Sequence, residues 1–212
     1  MAGHVITIAQ QKGGSGKTTI AVNLAVHYSR SGKSVALLYT DSLGILGRWF
    51  MTRHAGLGGD TGLEFGTASA WGVAYECDKL RRQHDLVIVD TPPKIDADLR
   101  PALRAADLVL IPVATSQVDL WATEGVLDLA RRESTPAMIV LNRLAPRARL
   151  AGTVNAEIDA MEVPRAAAAL GNRVGFAEAL GQGLAAAELA RSGPAAREVA
   201  ALAAEIAAAL AD

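Results

Sequence analysis

The chain has 212 residues, of which half are hydrophobic and 4% are aromatic, so it is long enough to bury a sizeable core built mainly of aliphatic side chains. Its formal net charge of −1 argues against a constitutively basic nucleic-acid-binding protein, although a local basic patch is compatible with it. A single cysteine excludes an internal disulfide, and the sequence shows neither a signal-peptide pattern nor an apolar run of the ~18 residues that a membrane span needs, so we expect a cytoplasmic protein.

Apolar runs of strand length alternate with longer helical patterns along the chain. In chain order, we predict a strand at 4–9, a helix at 18–32, strands at 34–39 and 62–68, a helix at 69–84, strands at 85–90 and 107–113, a helix at 116–132, a strand at 137–142 and a helix at 193–212. The strands lack polar alternation, which is typical of strands buried on both faces. We therefore expect an α/β fold, with a mostly parallel twisted sheet flanked by helices on both faces, in one domain that covers residues 1–212.

The stretch QQKGGSGKTT at 10–19 joins the first predicted strand to the first predicted helix. A glycine-rich turn there lets consecutive backbone N–H groups face a triphosphate, together with the positive end of the helix. The P-loop pattern is met at Gly16, Lys17 and Thr18, while Gln11 occupies the position of its leading glycine. We expect Lys17 to reach the β- and γ-phosphates and the Thr18 hydroxyl to bind Mg²⁺.

The segment KGGSGKTT, with Lys12 five residues before Lys17, resembles the deviant Walker A motif of the ParA/MinD family of ATPases. The resemblance implies a P-loop NTPase architecture, ATP and Mg²⁺ as cofactors, and a homodimer in which Lys12 reaches the nucleotide of the other subunit. A second ammonium near the β–γ bridge would neutralise charge that develops in phosphoryl transfer. The loop residues that it assigns to ATP binding are Gly13, Gly14, Ser15, Gly16, Lys17, Thr18 and Thr19. Segments 111–125 and 172–183 extend the resemblance over most of the chain.

Two polar side chains at strand ends add to the predicted site. Asp90 ends the buried strand at 85–90, and a carboxylate there can hold Mg²⁺ through its water shell. Asn142 ends the strand at 137–142, and its amide can pair with a purine's ring nitrogen and amino group at once. The family resemblance implies the same roles, because Asp90 resembles the end of its Walker B strand and an asparagine after the later strand contacts adenine.

Asp41 is the candidate hydrolytic acid. The resemblance places it in the first switch loop, where a carboxylate can orient water in line with the γ-phosphate. The family commonly has D-x-D-P-Q where this chain has YTDSL at 39–43, so Tyr39 replaces the first acid and the Pro-Gln pair is missing. We therefore expect slow turnover, with Lys12, Lys17 and Asp41 as the catalytic residues.

The sequence leaves three possible functions for such an ATPase. A ParA-like ATP dimer binds DNA without sequence preference, associates with the nucleoid, and positions a plasmid, chromosome or protein cluster through a separate ParB-like adaptor that stimulates hydrolysis. A MinD-like protein binds membrane through a terminal amphipathic helix, but the helix at 193–212 has few cations and no aromatics. A metabolic ATPase needs a second pocket, for which no polar constellation is visible. We favour the first output, without membrane binding; its candidate DNA contacts are Arg143, Arg147, Arg149, Arg165, Arg173 and Arg191.

Overall fold

The computed structural model describes residues 2–40, 44–69, 71–93, 99–114, 117–144 and 152–211. Within these ranges, six strands form one sheet in which all neighbours pair in parallel, in the order β3-β2-β4-β1-β5-β6. The strands are β1 (His4–Ile8), β2 (Val35–Tyr39), β3 (Glu64–Thr67), β4 (Leu86–Asp90), β5 (Leu108–Val113) and β6 (Ala137–Leu141). Each predicted strand is confirmed to within two residues at either end, and the predicted α/β fold with its parallel sheet is confirmed as well.

Helices cover both faces of this sheet. They are α1 (Lys17–Arg30), α2 (Ile45–Gly56), α3 (Gly72–Leu80), α4 (Leu99–Ala105), α5 (Gln117–Arg132), α6 (Gly152–Ala160), α7 (Val174–Gly181), α8 (Ala186–Leu189) and α9 (Pro194–Ala209). Successive strand residues face opposite sides, so Leu37 joins an apolar cluster with α1, α2 and α9, whereas Leu38 joins a cluster with α3. The sheet is therefore buried on both faces, as its lack of polar alternation predicts.

Sequence patterns predicted the long helices better than the short ones. The predicted helices at 18–32 and 193–212 are confirmed as α1 and α9, whereas the helix predicted at 69–84 is confined to α3. The predicted helix start at Ser116 lies outside the described residues. The helices that were not predicted are α2, α4, α6, α7 and α8. In α2 a buried arginine, Arg53, interrupts the apolar stripe that would otherwise mark a helix.

Arg53 of α2 forms hydrogen bonds with α8 and with the segment between α7 and α8. Its side chain is 6% exposed and forms two hydrogen bonds of 2.8 and 3.0 Å with the Glu188 carboxylate, which is 14% exposed. It also donates to the carbonyl oxygens of Thr61 and Gly183, and its guanidinium lies 5.5 Å from the centroid of the Trp49 ring. The buried charge is thus paired and hydrogen-bonded, as such a charge must be in a folded protein.

Replacing Arg53 with methionine is expected to lower the free energy of unfolding by about 3–5 kcal/mol, because the Glu188 carboxylate loses both hydrogen bonds from Arg53 and keeps only a more distant described cation, Arg30, at 3.9 Å. Denaturant unfolding at pH 7 measures this loss. The matched surface variant is Glu76→Gln, which breaks an exposed ion pair with Lys79 and should cost less than about 1 kcal/mol. An Arg53→Met protein as stable as the parent would contradict this account of α2.

The same ion pair makes stability depend on pH. Burial alone raises the pKa of Glu188, but hydrogen bonds from the Arg53 side chain and the Ala185 backbone N–H outweigh it and hold that pKa below its ordinary value of 4.5. Since the folded pKa lies below the unfolded one, the contribution is fully present above about pH 4.5 and is lost as the pH falls further. Stability of a Glu188→Gln variant should therefore fall less steeply than that of the parent below that pH.

None of the helices in the ranges given above combines the length and the apolar character that crossing a bilayer requires.

Candidate nucleotide-binding site

The phosphate loop connects the carboxyl end of β1 to the start of α1. In open α/β folds, ligands bind at this edge of the sheet, where the parallel strands end. Gly14 and Gly16 have φ values of 76° and 98°, a backbone conformation that side-chain-bearing residues rarely adopt. A Cβ atom placed on Gly13 or Gly14 would meet no atom within 4 Å, so the outer side of the loop is open. A Cβ on Gly16 would lie 2.1 Å from Nδ2 of Asn142, so this position requires glycine for two reasons.

Two side chains of the loop have the chemistry that a phosphate needs. Lys17 is 7% exposed, and its Nζ donates to the carbonyl oxygen of Gln10 at 3.1 Å, which holds the ammonium across the loop. The Ser15 hydroxyl oxygen is buried and has no hydrogen-bond partner among the described residues. A buried hydroxyl without a partner is costly unless a ligand satisfies it, so the Ser15 hydroxyl fits a bound phosphate. The Lys17 ammonium fits one because it is a cation held across the loop.

A hydroxyl and a carboxylate meet beside this loop. The Thr18 hydroxyl donates to Oδ2 of Asp90 at 2.7 Å, and Asp90 is 1% exposed. Because β4 pairs with β1, the end of β4 lies directly beside the strand that leads into the loop. The Thr91 hydroxyl donates to the carbonyl oxygen of Ile8, which fixes that arrangement. Hard oxygen atoms of these types suit Mg²⁺.

Asn142, the residue after β6, contacts the phosphate loop. Its Nδ2 donates to the carbonyl oxygen of Ser15 at 2.7 Å, and the residue is 4% exposed. The amide therefore supports the backbone that would hold a phosphate. Its contact with adenine stays a prediction.

Lys12 forms an ion pair that sequence reasoning missed. Its Nζ lies 2.7 Å from Oδ1 of Asp119, in the first turn of α5. The side chain of Gln10 donates to the Thr123 hydroxyl, which in turn donates to the backbone carbonyl of Asp119. The phosphate loop is thus joined to α5 by two separate contacts. The signal in the sequence was an acid in a first helical turn, which a capping role explains equally well.

The other predicted residues lie apart from this site or outside the described residues. Asp41, Arg147 and Arg149 fall outside the described ranges. Arg143 is exposed and follows Asn142, and Arg191 is exposed between α8 and α9. Of the remaining candidate DNA contacts, Arg165 lies 3.8 Å from Asp159, and Arg173 binds the Glu198 carboxylate.

Comparisons with known proteins agree with this geometry. A family model described as the CobQ/CobB/MinD/ParA nucleotide binding domain matches residues 6–185. The chain is 28% identical over 196 residues to the maintenance of carboxysome distribution protein A of Halothiobacillus neapolitanus, covering 89% of this chain and 88% of that protein. It is 34% identical over 173 residues to the chromosome-partitioning ATPase Soj of Thermus thermophilus, covering 69% of this chain and 66% of that protein.

The fold agrees with solved structures as well. The Pyrococcus horikoshii septum site-determining protein MinD, in complex with Mg-ADP, superposes with a TM-score of 0.78 over 96% of this chain and 95% of that one, at 18% identity. The predicted P-loop NTPase architecture is confirmed by this likeness. The chain therefore belongs to the CobQ/CobB/MinD/ParA nucleotide-binding family, and within it to the ParA/MinD group of partition and positioning ATPases.

Proposed function

We propose that the chain is a single-domain ATP-dependent dimerisation switch that binds DNA non-specifically as the ATP dimer and positions a cargo. The observation that carries this proposal is the place of Lys12 beside α5. Its partner Asp119 lies between two large apolar side chains, Val118 and Trp121, which are 54% and 62% exposed. Exposed apolar side chains beside a partly exposed lysine suit an interface with a second subunit, since large apolar patches mark interaction sites. Family members dimerise with ATP and work with partner proteins.

The proposed site uses the residues described above. The loop backbone from Gly13 to Thr19 and the Lys17 ammonium hold the phosphates, the Thr18 hydroxyl binds Mg²⁺, and Asp90 holds it through water. Asn142 contacts adenine. Bound Mg²⁺ would supply charge neutralisation at the phosphates, while Lys12 and Asp41 complete hydrolysis. The reaction yields ADP and phosphate at a slow rate that an adaptor stimulates.

DNA is the proposed binding partner of the ATP dimer, so the dimer would associate with the nucleoid. DNA affinity comes mainly from cationic side chains that neutralise phosphates. A single chain with a net charge near zero offers few such side chains, so we expect enough of them to contact DNA only when dimerisation places those of two subunits side by side. Arg143 and Arg191 are the exposed candidates among the described residues, whereas Arg165 and Arg173 lie near carboxylates. The apolar side of α9 is buried against α1, which supports DNA over membrane because a membrane helix needs that side free.

DNA binding measured with ATP, ADP and no nucleotide, at several salt concentrations, tests this function. We expect the protein to bind DNA with ATP and Mg²⁺, but not with ADP or without nucleotide. The DNA affinity should fall steeply as the salt concentration rises, because binding releases counterions. Lys79→Ala, which removes an exposed cation paired with Glu76, is the control and should change the salt dependence little. Binding that ignores the nucleotide, or no binding, would rule out this output; binding to anionic vesicles instead would favour the membrane alternative.

A further inference from the structure

Gln10, at the start of the phosphate loop, also contacts α5. It follows β1 and is 1% exposed. Its Oε1 accepts a hydrogen bond from the Gln11 backbone N–H at 2.8 Å, which holds the next residue of the loop. Its Nε2 donates to the Thr123 hydroxyl of α5 at 3.0 Å. One buried amide therefore fixes the start of the loop and the side of α5 that faces it.

The same amide extends the pairing of β1 with β5. The register between the two strands ends at Ile8 and Leu110, and the Ala9 N–H then donates to the Leu110 carbonyl. Two residues further along β5, the Pro112 carbonyl oxygen accepts from Nε2 of Gln10 at 3.2 Å. The side chain thus takes the place of a backbone donor, and the sheet fixes the position of the amide.

Further hydrogen bonds connect this amide to groups of the nucleotide site. The Lys17 ammonium donates to the backbone carbonyl of Gln10 at 3.1 Å. On the other side, the Thr123 hydroxyl donates to the backbone carbonyl of Asp119 at 2.8 Å, and the Asp119 carboxylate pairs with Lys12. Gln10 therefore lies between the lysine that would hold the phosphates and the helix that receives the second lysine.

The two links between the loop and α5 would respond differently to ATP. In the proposed function, the Lys12 ammonium leaves α5 for the partner's nucleotide. The hydrogen bond between Gln10 and Thr123 is buried on both sides and uses no group assigned to a nucleotide, so we expect it to persist in the dimer. It would then hold α5, with its exposed Val118 and Trp121, in place on the loop.

Stability alone does not require an amide at this position. Replacing both partners of a buried hydrogen bond with apolar groups of the same shape can be nearly neutral or stabilising. A fully paired polar network, by contrast, fixes one relative position of the elements that it joins. A buried amide between the loop and α5 therefore suits a link whose geometry matters more than its contribution to stability.

We propose that Gln10, through Thr123, is a positioning residue for the ATP dimer. It holds α5 at a fixed position on the phosphate loop, so that a loop filled by ATP presents the exposed side of α5 to a second subunit. This inference rests on the proposed dimerisation switch. The Thr123 hydroxyl contacts no residue assigned to the phosphates, so its loss acts on the association of two subunits and leaves ATP binding to one subunit unchanged.

Thr123→Val tests this link, because valine keeps the shape of threonine and removes the hydroxyl. Two quantities are measured: the Kd for ATP at protein concentrations where the chain is monomeric, and the dimer dissociation constant in excess ATP and Mg²⁺ by sedimentation. We expect the dimer dissociation constant to rise about 5- to 30-fold, the effect of one lost buried hydrogen bond, and the Kd for ATP to stay within about twofold. Thr123→Ser keeps the hydroxyl and should dimerise within about threefold of the parent.

Thr7→Val is the matched control, and Gln10→Met removes the other partner of the bond. Thr7 is as buried as Thr123, but its hydroxyl donates to the Ala102 carbonyl of α4 at 2.9 Å, so its loss should change neither quantity. In a Gln10→Met background, adding Thr123→Val should change the dimer dissociation constant less than about twofold, because the bond is already absent. Unfolding curves show whether each variant is folded.

Each other outcome overturns the proposal at a definite step. A Thr123→Val protein that dimerises like the parent would show that the bond does not bear on association, and weaker ATP binding by its monomer would place the effect in the loop. An equal loss in Thr7→Val, or additive effects with Gln10→Met, would make it a general effect of removing a buried hydroxyl. A parent protein that stays monomeric in ATP would refute the proposed dimerisation and this role together, whereas a parent that dimerises leaves that function standing whatever Thr123→Val does.

Discussion

Replacing Lys17 with alanine is expected to weaken ATP binding at least about 30-fold. The Lys17 ammonium is 7% exposed and held by the Gln10 carbonyl, so its position across the loop is fixed before a nucleotide arrives. Removing one partner of a buried, hydrogen-bonded charge pair costs about 2–5 kcal/mol, and 2 kcal/mol corresponds to a factor of about 30. Isothermal titration of ATP in the presence of Mg²⁺ measures the change.

The control for this prediction is Lys33→Ala, an exposed lysine after α1, which should leave the affinity within about twofold. Unfolding curves of both variants separate lost binding from lost folding. An ATP affinity that survives in a folded Lys17→Ala protein would mean that the nucleotide does not bind at this loop.

Replacing Lys12 with glutamine is expected to lower the rate of ATP hydrolysis by about 100- to 1,000-fold, the effect of removing one preorganised donor from a charge-stabilising site. Glutamine keeps a hydrogen-bond donor for Asp119, which is 3% exposed and should not be left without its partner. The ATP affinity of the isolated chain should change little, because Lys12 serves the nucleotide of the other subunit in this account.

The ion pair between Lys12 and Asp119 adds a second expectation. In this account the Lys12 ammonium leaves the Asp119 carboxylate, now 2.7 Å away, to reach the partner's nucleotide, so Asp119→Asn should favour the ATP dimer. Sedimentation in ATP compares the dimer dissociation constants of the parent, Asp119→Asn and Lys12→Gln proteins. A Lys12→Gln protein that hydrolyses ATP at the parental rate would remove Lys12 from the mechanism.

The parts of the site that could be predicted are those fixed by topology. Thr18 follows β1 and Asp90 ends β4, and both were predicted to lie at the Mg²⁺ site because the carboxyl ends of parallel strands share one edge of the sheet. The pairing of β1 with β4 and the 2.7 Å contact between the two side chains are seen only in the structure. The same patterns located the five mostly buried strands, because strands buried on both faces are continuous apolar runs. The edge strand β3 was also predicted, although its side chains are exposed or half-buried. The family comparison confirmed the fold and the group, which the motif at 12–19 had indicated.

The hydrogen-bond and ion-pair partners of individual polar side chains could not be predicted from the sequence. The amide of Asn142 has donors for many acceptors, and the sequence does not show that the Ser15 carbonyl is the one used. Asp119 fits a helix cap as well as an ion pair with Lys12. Tyr39 in place of an acid suggested only a loss, whereas the structure gives its phenol a definite contact with Gly44. Packing and contacts of this kind are decided by tertiary structure.

The most direct test of the central claim is the molar mass in solution with ATP and Mg²⁺, with ADP and Mg²⁺, and without nucleotide. Asp41→Ala is measured beside the parent, because loss of the hydrolytic acid should leave ATP binding intact and trap the dimer. The account predicts twice the monomer mass with ATP, most completely in Asp41→Ala, and the monomer mass with ADP. The same mass in all three conditions, or an Asp41→Ala variant that hydrolyses ATP at the parental rate and does not accumulate as a dimer, would contradict it.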